Sequence, residues 1–472
     1  MRRMKLSRRS MLGYIALGAG VLLTGCGLNS RGERMKHKGR VLLAGVPSAP
    51  PGLEDAVNFP LIDALHGRRA RRFSLGASIP EGPLTFASQQ PPMPLDELEQ
   101  MMVLTAVAGN TGWFYLHPYN KNYAPNIPNY AVGAVGRTFP SAAGFHTSEI
   151  FYTDDNGTYF FPTRDSGSLM ERDGDGAVDL ASYLSKHRTR IKKLSDTRLH
   201  IPDNPAHIDQ HNPWCVNRPG STLIIPVADL AQHYLAALCY IVQNGACMFD
   251  DVHGEKIPGM ERFANLVDVN NPYPLTYLEQ LCLAEVTAET STACYAGMLM
   301  LQATGLGGWM FDGLTPFSVL GASGDPEMPG LGFRFDTNPR WSIPNATGLP
   351  GVFEGFCPPH YPDMRAATEA VVQRKFGPGG PFNAQTPGPY KENARVRGAG
   401  KVHDEAFKDC VATMAQYVFD RFGKFPGTVP SMFVLTYLQA HHLDLEFYDR
   451  HFAPGAYLDT HARHMEQWHP KK

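Results

Sequence analysis

Residues 137–152 read R-T-F-P-S-A-A-G-F-H-T-S-E-I-F-Y, a small-residue loop that runs straight into a strand. Pro140 fixes one backbone dihedral, Ser141 offers a hydroxyl, and Ala142, Ala143 and Gly144 leave the main chain bare. Main-chain amides in such a loop can press against a flat or anionic ligand, although the same composition also makes an ordinary loop. Glu149 to Thr153 predicts a strand. Asp154-Asp155-Asn156-Gly157 turns it back into Thr158–Phe161, because Asn-Gly between two aromatic, β-branched runs is a strong hairpin signal.

Two further stretches extend the reading. From Ala288 to Gly313 the chain reads A-E-T-S-T-A-C-Y-A-G-M-L-M-L-Q-A-T-G-L-G-G-W-M-F-D-G. Ala293, Ala296, Gly297 and Ala303 permit close packing while Met298, Leu299 and Leu301 fill space, so the first part predicts a helix that belongs in a core. Gly305 stops it, and a short strand leads to Asp312-Gly313. Far upstream, Arg68-Arg69-Ala70-Arg71-Arg72 precedes a Pro94-Leu95 pair that opens a further helix. Guanidinium forks at this spacing suit phosphate oxygens, and a plain solvated basic run fits the same residues. Nucleic acid is a poor partner, because the formal net charge is -2 and no basic stripe recurs.

Taken in order, the three stretches resemble the FMN-dependent nitroreductase superfamily, and most closely the branch of the azoline-forming dehydrogenases. The resemblance implies an α+β fold with a central mixed β-sheet flanked by helices, and FMN as cofactor. It places Arg68 and Arg72 on the FMN phosphate, and Pro140, Ser141, Ala142 and Gly144 against the flavin. The amides of Asp312 and Gly313 would face its reactive ring. Ala70 departs from the family's Ser and removes one hydroxyl donor. Relatives commonly form intertwined homodimers with flavin at the interface. The implied activity is hydride transfer between FMN and a small organic substrate. Tyr152 and His146 flank the loop, but nothing in the sequence aims them at the ring, so no acid or base is assigned. A noncatalytic exported lipoprotein scaffold of the same fold, binding a ligand or partner, is the alternative.

The N-terminus points to export. Met1–Arg9 is basic and Gly13–Leu23 is apolar but too short for a permanent span of ~20 residues. Ser7-Arg8-Arg9-Ser10-Met11-Leu12 resembles a twin-arginine signal, and Leu23-Thr24-Gly25-Cys26 a lipobox with Cys26 as the lipid-bearing residue. That route carries folded cargo with its cofactor. It puts the protein on the periplasmic or cell-envelope side, where a quinone or other membrane electron partner replaces nicotinamides.

The 472 residues, 43% of them hydrophobic, are ample for a sizeable core. We divide the chain into signal (1–26), tether (27–55), flavin-type core (56–345) and a mostly helical C-terminal extension (346–472). In the core, Leu223–Ile225 predicts a strand and Val227–Asn244 a helix. The extension predicts helices over Asp404–Phe422 and Ser431–Phe447. His117–Gly136, rich in Pro, Asn and Tyr, reads equally as the roof of a site or as plain surface. With Cys26 lipidated, an odd number of the 8 cysteines remains, so at least one thiol is free in a monomer. No C-x-x-C pair supports a zinc site. His441, His442, His451, His461, His464 and His469 cluster near the end. No carboxylate or cysteine completes a recognised metal spacing with them, so they read as exposed helix histidines and no metal is expected.

Overall fold

The computed structural model describes residues 41–470, apart from 44, 47–48, 124–125, 175 and 337–342. The twin-arginine and lipobox stretches, Cys26 included, lie outside the described residues. No helix among the described residues is long and apolar enough to cross a membrane.

The elements that position the site are, in chain order, helix α1 (Glu97–Ala108), strands β1 (Ser148–Asp154), β2 (Gly157–Phe161), β3 (Lys192–Ser195) and β4 (Thr222–Asp229), and helices α2 (Leu230–Gln243) and α3 (Leu275–Thr304). Strand β5 (Gly307–Phe311), helices α4 (Met364–Phe376) and α5 (Glu405–Phe422), strands β6 (Met432–Phe433) and β7 (Tyr437–His441), and helices α6 (Leu445–His451) and α7 (Asp459–Trp468) follow.

The predicted hairpin forms: Asp154 pairs with Gly157 across a two-residue turn, and Tyr152 stacks on Tyr159 at 4.7 Å. The sheet grows outward from it in the order β5-β7-β4-β1-β2-β3, with β6 on the far end of β4. Every pairing in it is antiparallel, which corrects the expected mixed sheet. All residues of β1 and β4 are buried, so both faces of the centre are covered. Pro226 has no N–H to give, and it lies where the ladder on one side of β4 is interrupted between β6 and β7.

The chain from Val227 to Asp229 is strand, not helix. An apolar run of this kind has no period that separates the two, and α2 begins only where Asp229 caps it by accepting from Gln232 N at 2.9 Å. A larger correction concerns Ser431–Phe447. It holds β6, β7 and the start of α6 rather than one helix, and β7 sits between β4 and β5. The segment after 346 therefore supplies an interior strand of the main sheet, and the expected boundary at 345 marks no edge of that sheet. Asp404 does cap α5, whose Gly423 stop has φ 76°.

Helix α3 runs 30 residues, about 45 Å at 1.5 Å per residue, and ends at Gly305 in the left-handed region with φ 79°. Its C-terminal half, Ala293 to Leu301, packs with the sheet and Met101–Leu104 of α1. Its N-terminal half, Leu275 to Val286, packs with α2, α4 and α5 in a second apolar cluster. Cys282 and Cys294 share this one helix. Seven cysteines are free and buried among the described residues.

Candidate functional site

The arginine run lies along the open side of the edge strand β5. Arg71 N donates to Gly308 O at 3.1 Å, and Gly308 N returns a bond to Arg71 O at 2.9 Å. The Arg71 side chain turns inward, 2% exposed, and its guanidinium donates to Ala456 O (2.9 Å), Gln302 Oε1 (2.7 Å) and Gly67 O (3.1 Å). Burial draws this guanidinium down to about 10.

Arg72 and Arg68 are placed differently. Arg72 is half-buried, lies 6.0 Å from the Trp309 ring and makes one long hydrogen bond, Nη1 to Asn212 Oδ1 at 3.4 Å. Asn212 also meets the turn after β5. A β-carbon on Gly313 would fall 2.5 Å from Asn212 Nδ2, so glycine lets the Asn212 amide sit against this turn, and Asp209 N donates to Gly313 O at 3.0 Å. Arg72, Asn212, exposed Asp312 and buried Gly313 thus form one corner at the end of β5. Arg68 lies over the Tyr295 ring of α3 at 5.7 Å instead. No contact among the described residues gives Arg68 and Arg72 a common partner.

The Pro140–Gly144 loop lies elsewhere, against the middle of α3. Ser141 Oγ donates to Glu289 Oε2 at 2.6 Å and accepts from His146 N at 2.8 Å, while Glu289 Oε1 accepts from Ser148 N at 2.8 Å. The buried Glu289 therefore ties the loop to the first residue of β1. The Ser141 hydroxyl is spent on this anchor, which leaves half-buried Ala142 and exposed Pro140 and Ala143 at the open tip. Below, Arg137 is buried over the Phe139 ring at 4.9 Å, with Glu149 at 3.5 Å. His146 and Tyr152 are also buried. Burial pushes the His146 imidazole down to about 4 and the Tyr152 phenol upward. Neither faces a surface where substrate would lie.

The C-terminal histidines are not exposed. His441, His442, His461 and His464 are buried, and His442, His464 and His469 converge on Glu99 in the first turn of α1. The carboxylate missing from their neighbourhood in sequence comes from 343 residues before His442. No spacing rule reaches that far. The one available signal was a glutamate three residues after Asp96 at a helix start, which reads as an ordinary capping box.

No protein-family model matches the chain, and no curated protein matches it. Among solved structures, it overlaps a protein of Ralstonia eutropha JMP134 assigned as a nitroreductase, at 13% identity over 54% of this chain and 71% of the other, with a TM-score of 0.25. It also overlaps CLA-ER, an enone reductase catalysing a key step of a gut-bacterial fatty acid saturation metabolism. The identity there is 13%, over 58% of this chain and 86% of the other, with a TM-score of 0.25. Overlays this loose carry no argument about fold or activity.

Proposed function

We propose that the chain is an FMN-dependent, nitroreductase-like oxidoreductase that transfers a hydride between bound flavin and a small organic substrate. One observation carries this reading. Arg71 spends its guanidinium on three acceptors, whereas Arg72 has a single long hydrogen bond and Arg68 has none among the described residues. Neither Arg68 nor Arg72 has a carboxylate within ion-pair range among the described residues. Half-buried guanidiniums with unspent donors, one of them beside a glycine turn at a strand end, suit a phosphorylated planar ligand. Asn212 brings a polar amide to this corner.

FMN, when bound, supplies the redox chemistry. In this proposal Arg68 and Arg72 hold its phosphate, and the chain at Asp312–Gly313 faces the ring with no bulky side chain in the way. The Pro140–Gly144 loop is tied to α3 of its own chain, so a second copy brings its loop over the flavin, and the protein is a homodimer. Glu289 keeps that loop rigid. We further propose export, a lipid anchor on Cys26, and electrons exchanged with a quinone or another membrane partner. Stopped-flow mixing of the flavin-loaded protein tests the donor: quinols reduce the flavin at catalytic rates and NADPH does not. The reverse result overturns the envelope-side assignment.

The burial of both His146 and Tyr152 favours a second reading, a noncatalytic lipoprotein scaffold of the same fold. Turnover with nitroaromatics or quinones by the flavin-loaded protein separates the two. Sustained turnover excludes the scaffold.

A further inference from the structure

Glu99, His442, His464 and His469 come from three distant parts of the chain and meet in one place. Glu99 Oε1 lies 3.1 Å from His442 Nε2, 2.9 Å from His464 Nε2 and 2.8 Å from His469 Nε2. One ligand atom from each of the four residues falls within 4.8 Å of the others. The three imidazole centroids are 5.1, 5.3 and 5.7 Å apart.

The protons on these rings decide what the cluster is for. His442 Nδ1 faces Met93 O at 3.0 Å, and His464 Nδ1 faces Thr304 O at 2.8 Å. A carbonyl oxygen only accepts, so both Nδ1 atoms carry the proton. In a neutral imidazole the Nε2 atom is then an acceptor, and here both Nε2 atoms lie within 3.1 Å of a carboxylate oxygen, itself an acceptor. His464 is 3% exposed, and its Nε2 is buried with no hydrogen-bond partner. The other Glu99 oxygen is already satisfied, since Oε2 accepts from Asp96 N at 2.7 Å. Nε2 atoms of two rings and one carboxylate oxygen thus lie together without a proton donor assigned between them, and His469 Nε2 completes the set. A single divalent cation placed among these atoms gives the Nε2 lone pairs and the carboxylate oxygen a common partner.

We propose that Glu99, His442, His464 and His469 bind one first-row divalent transition-metal ion, most simply zinc, in a four-coordinate N3O site. Imidazole and carboxylate are both zinc ligands, and four protein ligands make a closed, structural centre rather than one with a position left for substrate. The carbonyls of Met93 and Thr304 provide the outer hydrogen bonds that fix the tautomer of metal-bound histidines. The ion clamps α7 and the turn after β7 onto the start of α1, at the opposite end of β5 from Gly313. Five residues of strand, roughly 16 Å, separate those two ends. A cleft of about 260 Å³, lined by Leu75, Gln90, Leu443, His461, His464 and Met465, opens beside His464. The His469 side chain is 19% exposed, so solvent reaches the cluster from its side as well.

The test uses the full chain, stripped with chelator and titrated with Zn2+ or Co2+ alone. The proposal expects one ion per chain, a raised Tm on loading, and the intense visible bands of tetrahedral Co2+. Glu99→Gln removes the anionic ligand, but it also disturbs a helix cap and can unfold the chain. His469→Ala is the second variant, because its ring is the most exposed of the set. It stays folded and loses at least ~100-fold in affinity, at or beyond the 10–100-fold typical of changes outside the ligand shell. No ion bound by the folded wild type, or an affinity unchanged in His469→Ala, overturns the proposal.

Discussion

Arg71 and Gly308 exchange two backbone hydrogen bonds, 3.1 and 2.9 Å long, and this bridge decides which arginines of the run are structural. It faces the Arg71 side chain towards Gln302 at the end of α3 and leaves the Arg72 side chain on the side of Trp309 and Asn212. Two residues adjacent in sequence therefore respond to mutation in opposite ways. Arg71→Ala orphans Gln302 Oε1 and the carbonyls of Gly67 and Ala456, and it should cost more than ~4 kcal/mol. Arg72→Ala should cost about 1 kcal/mol or less. Urea unfolding midpoints of the two variants check the contrast.

Ser141→Ala removes the hydroxyl that both donates to Glu289 and accepts from His146 N. Two buried polar groups lose their partner, so the variant should lose about 2–3 kcal/mol. Ala142→Ser, at the half-buried loop tip, should stay within about 0.5 kcal/mol of wild type. Equal stability of Ser141→Ala and wild type would mean that the loop is not anchored through this serine.

Truncation after residue 345 removes β7, which pairs with β5 on one side and β4 on the other. It also removes Gln439, whose buried amide accepts from Asn217 N at 2.7 Å and donates to Cys215 O at 2.8 Å. The expected product is insoluble or unfolded. A soluble 56–345 fragment with cooperative unfolding would show that the C-terminal part is a separable addition after all.

Acid should destabilise the protein with a definite slope. His187 is neutral by construction, with Nε2 accepting from Asn110 N and Nδ1 facing Tyr183 O. Burial pushes His187 and His146 from 6.5 down to about 4. The stability from keeping them neutral is fully present above 6.5 and is lost as pH falls through 4. Asp229 works the other way: burial lifts its carboxyl from 3.8 to about 6, so its contribution is full below 3.8 and lost as pH rises through 6. Between about pH 6 and 4, two imidazoles outweigh one carboxyl, and these three groups together cost about 1.4 kcal/mol per pH unit on acidification. Asp229→Asn should steepen this to about 2.7 kcal/mol per unit. Other buried histidines, His441 and His461 among them, add to the total slope, so the check is the difference between Asp229→Asn and wild type, about 1.4 kcal/mol per unit from urea midpoints at about pH 6 and 4.5.

Local chemistry made part of this legible in the sequence. Asn156-Gly157 announced the hairpin, Gly305 the end of α3 and Asp404 the start of α5, because each acts on the backbone within a few residues. Ser431–Phe447 misled, since Met432–Leu443 is mostly apolar with no Gly, Pro, Asn or Asp to punctuate it, and only the place of β7 between β4 and β5 makes that part strand. Arg71 could not be told from its neighbours, because a bridge to Gly308 decides its direction. The meeting of Glu99 with three histidines depends wholly on the tertiary fold.

The most direct measurement is FMN titration of the intact, flavin-stripped protein, followed by flavin absorbance and by the mass of the complex. One FMN should bind per chain of a dimer. Affinity should fall about 10- to 100-fold in Arg72→Ala, as loss of a charge-assisted hydrogen bond implies, while that variant stays folded. Folded protein that remains colourless at saturating FMN, or binds it equally well without Arg72, would contradict the account.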